Sequence, residues 1–256
     1  MYITFRDIVN HHKAKVEGVI HLGAHLGEEA KDYHREGVQH VIWIEGNPSL
    51  IDNLKARVEK YEGHKVFNLL ISDKDNTELM FNVTAFSQSS SVLDLGITKE
   101  IHQTSVVKRI PLVAYRLDTF FQMNPLDISH YNFVNLDLQG YELVALKSMG
   151  QLLDRIDWVY TEINVKSLYK NCALLYQMDI FLLQKGFVRV ETFMTTHFWG
   201  DGLYKRVSLN ALSKKTKLAG IYLEEAIRQI RFFYNRLITT KYKQTKRLIK
   251  RIFNFQ

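Results

Sequence analysis

Residues 19–30 read VIHLGAHLGEEA, and this stretch decides the fold. An apolar run ends in two glycines four positions apart, and acidic, helix-forming residues follow. The pattern predicts a buried strand, a tight turn and the first turn of a helix. Gly23 and Gly27 lack the Cβ atoms that would hold a ligand away from the backbone. Because the N–H groups of a helix N-terminus attract anions, we expect a ligand-binding loop here.

A second buried strand is predicted at residues 40–48, which read HVIWIEGNP and end in an acid and a turn. Glu45 follows Gly27 by 18 residues, close to the spacing at which a carboxylate accepts hydrogen bonds from ribose hydroxyls. A solvated acid at a strand end is the alternative interpretation. The loop lacks the dinucleotide pattern GxGxxG because His25 and Glu28 occupy its third and sixth positions. Its wider GxxxG spacing is typical of S-adenosylmethionine enzymes.

The composition describes a folded chain with a basic end. The 256 residues are 46% apolar and include one cysteine, which excludes an internal disulfide framework and fits a reducing compartment. No apolar run reaches the ~18 residues that cross a bilayer, and residues 1–15 do not resemble a signal peptide. We expect a cytoplasmic protein, with a location at the membrane surface left open.

The net charge of +7 is concentrated in residues 214–256, which hold twelve Lys or Arg and two Glu. The rest of the chain carries −3, with 22 basic and 25 acidic residues. Apolar residues recur on one face of this segment, so we predict a main domain at 1–212 and a basic amphipathic helical tail at 213–256. Such a helix binds an anionic membrane surface or a partner protein. Nucleic acid is a less favoured third partner.

Strand, loop and helix patterns alternate along residues 16–71, which predicts a parallel, doubly wound α/β sheet. Further strands are expected at 131–137, 156–163, 187–193 and 203–209, and a loop at 195–202 is expected to join the last two. Residues 78–113 depart from the rhythm and predict an inserted β-meander over the ligand cleft. An antiparallel hairpin that closes an otherwise parallel sheet is typical of class I methyltransferases, which are Rossmann-like and seven-stranded.

Short motifs along residues 16–207 together resemble the FkbM family of S-adenosylmethionine-dependent methyltransferases. They are the glycine loop at 21–29, IEGNP at 44–48, LLISD at 69–73, SSSVL at 89–93, LDLQGYE at 136–142, TEIN at 161–164 and WGDGLY at 199–204. The resemblance implies methyl transfer to a hydroxyl, with a sugar or glycan as the expected acceptor. Family members usually carry Asp where this chain has His21, and Asn is common in place of His25.

The resemblance and the strand ends together nominate three sets of residues. Expected to bind the cofactor are His21, Gly23, Ala24, His25, Gly27, Glu28, Glu45, Asn47, Ser72, Asp73 and Asp137. Expected catalytic residues are Asp137, Glu162 and His197, with His197 as a neutral base on a lid. Expected substrate contacts are Ser89, Ser90, Glu142, Asn164, Trp199 and Asp201. Glu142 has the alternative role of a helix N-terminal acid, and the serines that of a solvated turn.

Three alternatives stay open at this point. Asp137, Glu162 and Asn164 also resemble an oxygen-ligand set for Mg²⁺, although we do not favour a metal because carboxylates at neighbouring strand ends are common in this geometry. A nucleic-acid methyltransferase using the basic tail is the first rival, weakened by the absence of an Asn-Pro-Pro-aromatic motif. A non-enzymatic scaffold of the same fold, tethered by the tail, is the second.

Overall fold

The computed structural model describes residues 2–124 and 126–230. Its strands are β1 (Gly18–Leu22), β2 (His40–Glu45), β3 (His64–Asn68), β4 (Leu70–Ile71), β5 (Thr77–Thr84), β6 (Val106–Tyr115), β7 (Phe133–Leu136), β8 (Trp158–Asn164), β9 (Phe187–Met194) and β10 (Trp199–Arg206). Its helices are α1 (Phe5–Asn10), α2 (Ala30–Arg35), α3 (Ile51–Val58), α4 (Thr98–Ile101), α5 (Leu117–Met123), α6 (Glu142–Ser148) and α7 (Leu175–Gln184).

Seven strands form one sheet in the order β3-β2-β1-β7-β8-β10-β9. Strand β10 is antiparallel to both of its neighbours, while the pairs from β3 to β8 are parallel. All five residues of β1 are buried, as expected for a parallel strand that is covered on both faces. Val19 packs in one apolar cluster and Ile20 in the other, one on each side of the sheet. The predicted doubly wound α/β fold is confirmed.

The insertion is a separate three-stranded sheet in the order β4-β6-β5. Because β4 is parallel to β6 and β5 is antiparallel to it, the arrangement is mixed, and the predicted meander is wrong in this detail. The predicted third strand, residues 65–71, is also divided. Asn68 Nδ2 and the Leu69 N–H both donate to the Glu45 carbonyl, at 2.8 and 3.1 Å, and thereby end the ladder with β2. Leu70 then pairs in the small sheet.

The last strand begins earlier than the sequence indicates. Strand β10 starts at Trp199, and the predicted loop at 195–202 shrinks to residues 195–198. Gly200 and Gly202 suggest a turn, but they lie inside the strand. Position 200 requires glycine because a Cβ atom there would come within 1.9 Å of the Phe193 carbonyl oxygen. Trp199 and Asp201 are therefore strand residues with fixed side-chain directions.

The chain divides into two units, Met1–Ser208 and Leu209–Gln256. In the second unit, residues 211–230 are helical, and Leu212, Leu223 and Ile230 are exposed. Tyr234 and Leu237, which belong to the apolar face predicted for the tail helix, lie outside the described residues. The rest of the segment 231–256 lies outside them too. Across the part of the chain that is described, no helix combines the length and apolar character that a membrane crossing requires.

Candidate functional site

A cavity of about 510 Å³ lies at the carboxyl ends of β1, β2, β7 and β8. Ligands of doubly wound sheets bind at this edge. The glycine loop forms one wall, residues 86–92 of the insertion form another, and Trp199 and Asp201 of β10 complete the lining. The cavity thereby collects residues that lie far apart in the sequence.

The two loop glycines have roles in packing. Gly23 has a φ of +82°, and a Cβ atom there would lie 1.9 Å from the Asp137 carbonyl oxygen. Gly27 has a φ of +72°, and its Cβ atom would lie 2.8 Å from Leu54 of α3. We expected these glycines to admit a ligand. Gly23 instead allows the end of β7 to pack closely, and Gly27 allows α3 to do so. Gly27 does not line the cavity.

The loop amides are already paired, which corrects the expected anion site. The Gly23 and Ala24 N–H groups donate to the Ile44 carbonyl, at 2.9 and 3.0 Å, and the Gly27 N–H donates to the Ala24 carbonyl at 2.7 Å. The His25 and Leu26 N–H groups donate to the side chains of Glu45 and Glu28, at 2.8 and 3.2 Å. Two of these acceptors are carboxylates, so the loop presents negative charge to the cavity.

Glu45 is buried at the end of β2 and fixes the loop from below. Its Oε2 accepts the His25 N–H at 2.8 Å, and its Oε1 accepts the Asn47 N–H at 2.7 Å. Burial raises the pKa of this carboxyl group. A carboxylate oxygen has two acceptor positions, so each oxygen retains one that can bind a hydroxyl of a ligand in the cavity. Asn47 lines the cavity beside it and caps the following turn by accepting the Ser49 N–H.

The carboxyl groups of Asp137 and Glu162 are joined by the side-chain amide of Gln139. Gln139 Nε2 donates to Asp137 Oδ1 at 2.5 Å and to Glu162 Oε2 at 3.1 Å, while Tyr169 Oη donates to Gln139 Oε1 at 2.6 Å. Burial raises the pKa of Asp137 and, with the charge of Asp137, holds that of Glu162 well above its usual range. The sequence motif contains Gln139, but its neutral side chain gave no signal of this role.

Glu142 has a structural position in place of the expected substrate contact. It lies outside the cavity lining and is 2% exposed. Its Oε1 accepts the N–H groups of Leu138 and Gly140, at 2.9 and 3.0 Å, at the start of α6. These bonds hold the turn that carries Gln139, whose φ is +54°. Burial raises the pKa of Glu142 to about 7.

His21 is buried beneath the cavity and stacks on Trp43, with ring centroids 4.9 Å apart. Burial lowers its pKa to about 4, so the imidazole is neutral at pH 7. Asn135 Nδ2 donates to Tyr33 Oη at 2.7 Å, and we assign the Tyr33 hydroxyl as the donor to His21 Nδ1 at 3.1 Å. This tautomer leaves Nε2 protonated, 4.0 Å from the Glu29 carboxylate.

One histidine–serine hydrogen bond joins the insertion to the glycine loop, and a second lies within the insertion. His25 Nε2 and Ser87 Oγ are 2.9 Å apart, and His102 Nδ1 and Ser89 Oγ are also 2.9 Å apart. Ser90 lines the cavity too, and its Oγ accepts the Thr84 N–H at 3.1 Å. The serine hydroxyls are therefore part of an ordered wall. The hydrogen bond to Glu28 raises the pKa of His25.

The family assignment follows from the match of the methyltransferase FkbM domain model to residues 21–189. That match spans more than half of the chain and includes the glycine loop, Glu45, Asp137 and Glu162. The chain belongs to the FkbM methyltransferase family. It is an S-adenosylmethionine-dependent methyltransferase by family and by its sheet order.

Solved structures that are similar to this FkbM domain are distant in sequence. The magnesium protoporphyrin IX methyltransferase ChlM from Synechocystis PCC 6803 is 10% identical, with 80% of each chain covered and a TM-score of 0.45. A protein assigned as a methyltransferase from Escherichia coli is 10% identical, with 82% of this chain and 89% of that chain covered and a TM-score of 0.44. No curated protein matches the sequence. These likenesses say nothing about the acceptor.

Several nominated residues of the FkbM domain lie outside the cavity lining. Ser72 is buried, and its Oγ accepts the Lys74 N–H at 3.2 Å. Asp73 is exposed at the surface. His197 is exposed in the short turn before β10 and lies outside the lining, whereas His21, His25 and His102 line the cavity. His197 stays in the turn of residues 195–198, and its role as a base stays a prediction.

The Mg²⁺ alternative does not fit the donor set. An amide N–H group of Gln139 lies between Asp137 and Glu162, where a cation would need an oxygen ligand. Asn164 lies outside the lining, and its Nδ2 donates to Glu162 Oε1 at 3.2 Å. Across the described residues, no group of three or more metal-binding side chains is suitably arranged.

Proposed function

We propose that this FkbM enzyme transfers the methyl group of S-adenosylmethionine to a hydroxyl of a carbohydrate-type acceptor. One observation carries the proposal, namely the charge of the cavity. Six carboxyl groups line it, and no lysine or arginine does so among the described residues. The six are those of Glu28, Glu29, Glu45, Asp137, Glu162 and Asp201. Such a lining favours a cationic ligand, because a nearby positive charge stabilises carboxylates that burial destabilises.

The residues present fit S-adenosylmethionine, which carries positive charge at its sulfonium and amino groups. Asp137, Glu162 and Glu29 supply negative charge, and the spare acceptor positions of Glu45 suit ribose hydroxyls. The volume of about 510 Å³ lies within the ~300–1,000 Å³ typical of small-molecule sites. The bound cofactor supplies an electrophilic methyl group. Binding and orienting it are the expected roles of the nominated lining residues.

Proton removal from the acceptor hydroxyl is assigned to the Asp137–Glu162 pair. Both carboxyl groups accept from one amide nitrogen, burial raises both pKa values, and the charge of Asp137 raises that of Glu162 further. Raised pKa values mean that both groups hold a proton more tightly than solvated acids do. The ionised member is a stronger base than a solvated carboxylate, and a positioned base contributes typically ~10²–10⁴-fold in rate. Gln139 orients the pair.

The same acidic lining weighs against the rival acceptors. Proteins that bind nucleic acid neutralise phosphates with lysine and arginine, and neither lines this cavity among the described residues. A non-enzymatic scaffold would retain the fold without needing to retain the cofactor site. Cofactor binding therefore separates the scaffold alternative from both enzyme hypotheses.

The first test is calorimetric titration of the purified protein with S-adenosylhomocysteine. We expect binding to the wild type and about tenfold weaker binding to Glu45→Gln, which corresponds to ~1.4 kcal/mol. Glu59→Ala, at an exposed acid, is the control and should bind like the wild type. Absence of binding to a folded wild-type protein would overturn the proposal.

The second test compares the cationic cofactor S-adenosylmethionine in two buffers of different ionisation enthalpy. A cation beside Asp137 and Glu162 should lower their raised pKa values, so binding should release protons and strengthen from pH 6 to pH 8. Transfer of a labelled methyl group to methyl glycosides, to amines and to RNA then ranks the acceptors. Preferential labelling of RNA would refute the carbohydrate hypothesis.

We also propose that the basic tail, residues 214–256, contacts an anionic membrane surface, with a partner protein as the alternative. Its twelve basic residues and the exposed Leu223 and Ile230 support this. In sedimentation with phosphatidylserine vesicles at low salt, the full chain should pellet with the vesicles. A shortened chain of residues 1–213 should stay in the supernatant. Equal recovery of both in the supernatant would favour the partner protein.

A further inference from the structure

Two neighbouring strands carry buried polar atoms without partners beside the cavity. Asn164 Oδ1, Trp199 Nε1 and Asp201 Oδ1 have no hydrogen-bond partner within the described part of the chain. Trp199 lies opposite Asn164 and Asp201 lies opposite Glu162 in the β8–β10 ladder. Directly opposed residues share a face of the sheet, as do residues two apart along a strand. The three side chains therefore lie on one face of the sheet, and Trp199 and Asp201 line the cavity.

The geometry of Asp201 is fixed by its other oxygen. Asp201 Oδ2 accepts the Tyr160 hydroxyl at 2.7 Å and the Ile3 N–H at 3.1 Å, together with the Tyr2 N–H. The residue is 1% exposed and lines the cavity. Oδ1 is thus an acceptor held rigidly at the cavity wall. Buried polar atoms without partners are rare and require an explanation.

Trp199 supplies the complementary group. Its indole N–H can only donate, and the residue lines the cavity two positions before Asp201. Its ring lies between two others, with centroids 5.4 Å from Tyr2 and 6.4 Å from His102. An aromatic surface at this point suits a ligand that has an apolar face and polar edges.

The combination of donor and acceptor selects the chemistry of the ligand. A hydroxyl both accepts and donates, so one hydroxyl, or two neighbouring ones, can bind the indole N–H and the carboxylate together. An ammonium group cannot accept from Trp199. A phosphate or carboxylate group would meet the negative charges of Asp137, Glu162 and Asp201.

We propose that Trp199 and Asp201 form the acceptor subsite of this enzyme and recognise adjacent ring hydroxyls of a saccharide. The subsite lies on β10, whereas the base assigned above lies on β7 and β8. The inference rests on the proposed function, and it adds which part of the acceptor is bound and by which atoms.

The test uses the indole N–H signals of the three tryptophans, Trp43, Trp158 and Trp199, in a ¹⁵N-labelled protein saturated with S-adenosylhomocysteine. Methyl α-glucoside, α-mannoside and α-galactoside are titrated to millimolar concentration. At least one should shift the Trp199 signal and leave the other two in place. The same glycoside should bind at least tenfold more weakly to Trp199→Phe and to Asp201→Asn.

Trp158→Phe is the matched control, because it makes the same change on β8 at the far end of the ladder. It should bind the glycoside like the wild type. Circular dichroism spectra that match the wild type show that the variants are folded. Trp199→Phe keeps the test decisive if Asp201→Asn loses its contacts to residues 2 and 3 and unfolds.

The outcomes distinguish the two proposals. If the wild type binds S-adenosylhomocysteine but no glycoside moves the Trp199 signal, the saccharide subsite is refuted and the proposed methyl transfer stands. The subsite is equally refuted if Trp199→Phe and Asp201→Asn bind the glycoside as well as Trp158→Phe does, since water would then satisfy the buried atoms. If the wild type does not bind S-adenosylhomocysteine, the proposed function fails and the subsite fails with it.

Discussion

Replacing Glu142 by glutamine should stabilise the enzyme at alkaline pH. The amide oxygen of the new side chain can still accept the N–H groups of Leu138 and Gly140, which Glu142 Oε1 now accepts at 2.9 and 3.0 Å. The substitution removes the charge and places an amide N–H₂ group where Oε2 lies. Burial raises the Glu142 pKa from 4.5 to about 7, so the folded state binds a proton more tightly than the unfolded chain does. A neutral side chain therefore suits this position better than an ionised one.

The sign and the size of the effect follow from proton linkage. The favourable contribution of protonated Glu142 is fully present below pH 4.5 and is lost as the pH rises through 7. The whole shift corresponds to roughly 3 kcal/mol, because one pKa unit is ~1.4 kcal/mol. We expect the Glu142→Gln variant to match the wild type at pH 4 and to exceed it in stability by ~2–3 kcal/mol at pH 8.

Urea unfolding followed by circular dichroism at pH 4, 6 and 8 measures the free energy of unfolding of both proteins. Glu59→Gln, at an exposed acid, controls for the general effect of removing a negative charge. A variant that is less stable than the wild type at pH 8 would refute the reasoning, because Glu142 would then be ionised and stabilising. Affinity for S-adenosylhomocysteine should stay within about threefold of the wild type, since Glu142 does not line the cavity.

Other substitutions test the same site. Gly23→Ala should lower the free energy of unfolding by at least ~2 kcal/mol in urea titration, because a Cβ atom would lie 1.9 Å from the Asp137 carbonyl oxygen at a φ of +82°; a stable variant would contradict the close packing of β1 and β7. Asp137→Asn should lower the methyl-transfer rate ~100-fold or more, Glu162→Gln less, and His197→Ala less than twofold, since His197 is exposed outside the cavity. An equal loss of rate in Asp137→Asn and His197→Ala would instead support His197 as the base. EDTA should leave the transfer rate unchanged, and a loss reversed by Mg²⁺ would show that the Gln139 amide rearranges for a metal.

The fold was predictable because its signals are local and repeated. Buried strands, glycine-containing turns and helix starts alternate over residues 16–71, and parallel sheets require that alternation. The errors occur where tertiary contacts override such signals. Gly200 and Gly202 suggest a turn, but they lie in a strand that needs glycine to approach β9 closely. Asn68 ends β3 through a side-chain bond to β2 that no local pattern indicates.

The site was only partly predictable, because sequence reveals charge and spacing better than it reveals which group donates to which. Glu45, Asp137 and Glu162 were found as acids at strand ends, and the structure brings them to one cavity. Gln139 was missed because it does not titrate, although its amide organises two of the acids. Glu142 was assigned to the substrate because the sequence reveals a carboxyl group at this position but not its partners. In the structure its Oε1 accepts backbone N–H groups.

The departure at His21 has a physical explanation in the same distribution of charge. The resemblance to the family leads one to expect an acid at this strand end, but six carboxyl groups already line the cavity. Another buried negative charge near Asp137 would raise the pKa values of the neighbouring acids further. A neutral imidazole, with a pKa of about 4, avoids that repulsion and is held by Tyr33 and Trp43. Its protonated Nε2 then adds a donor to a cavity wall made mostly of acceptors.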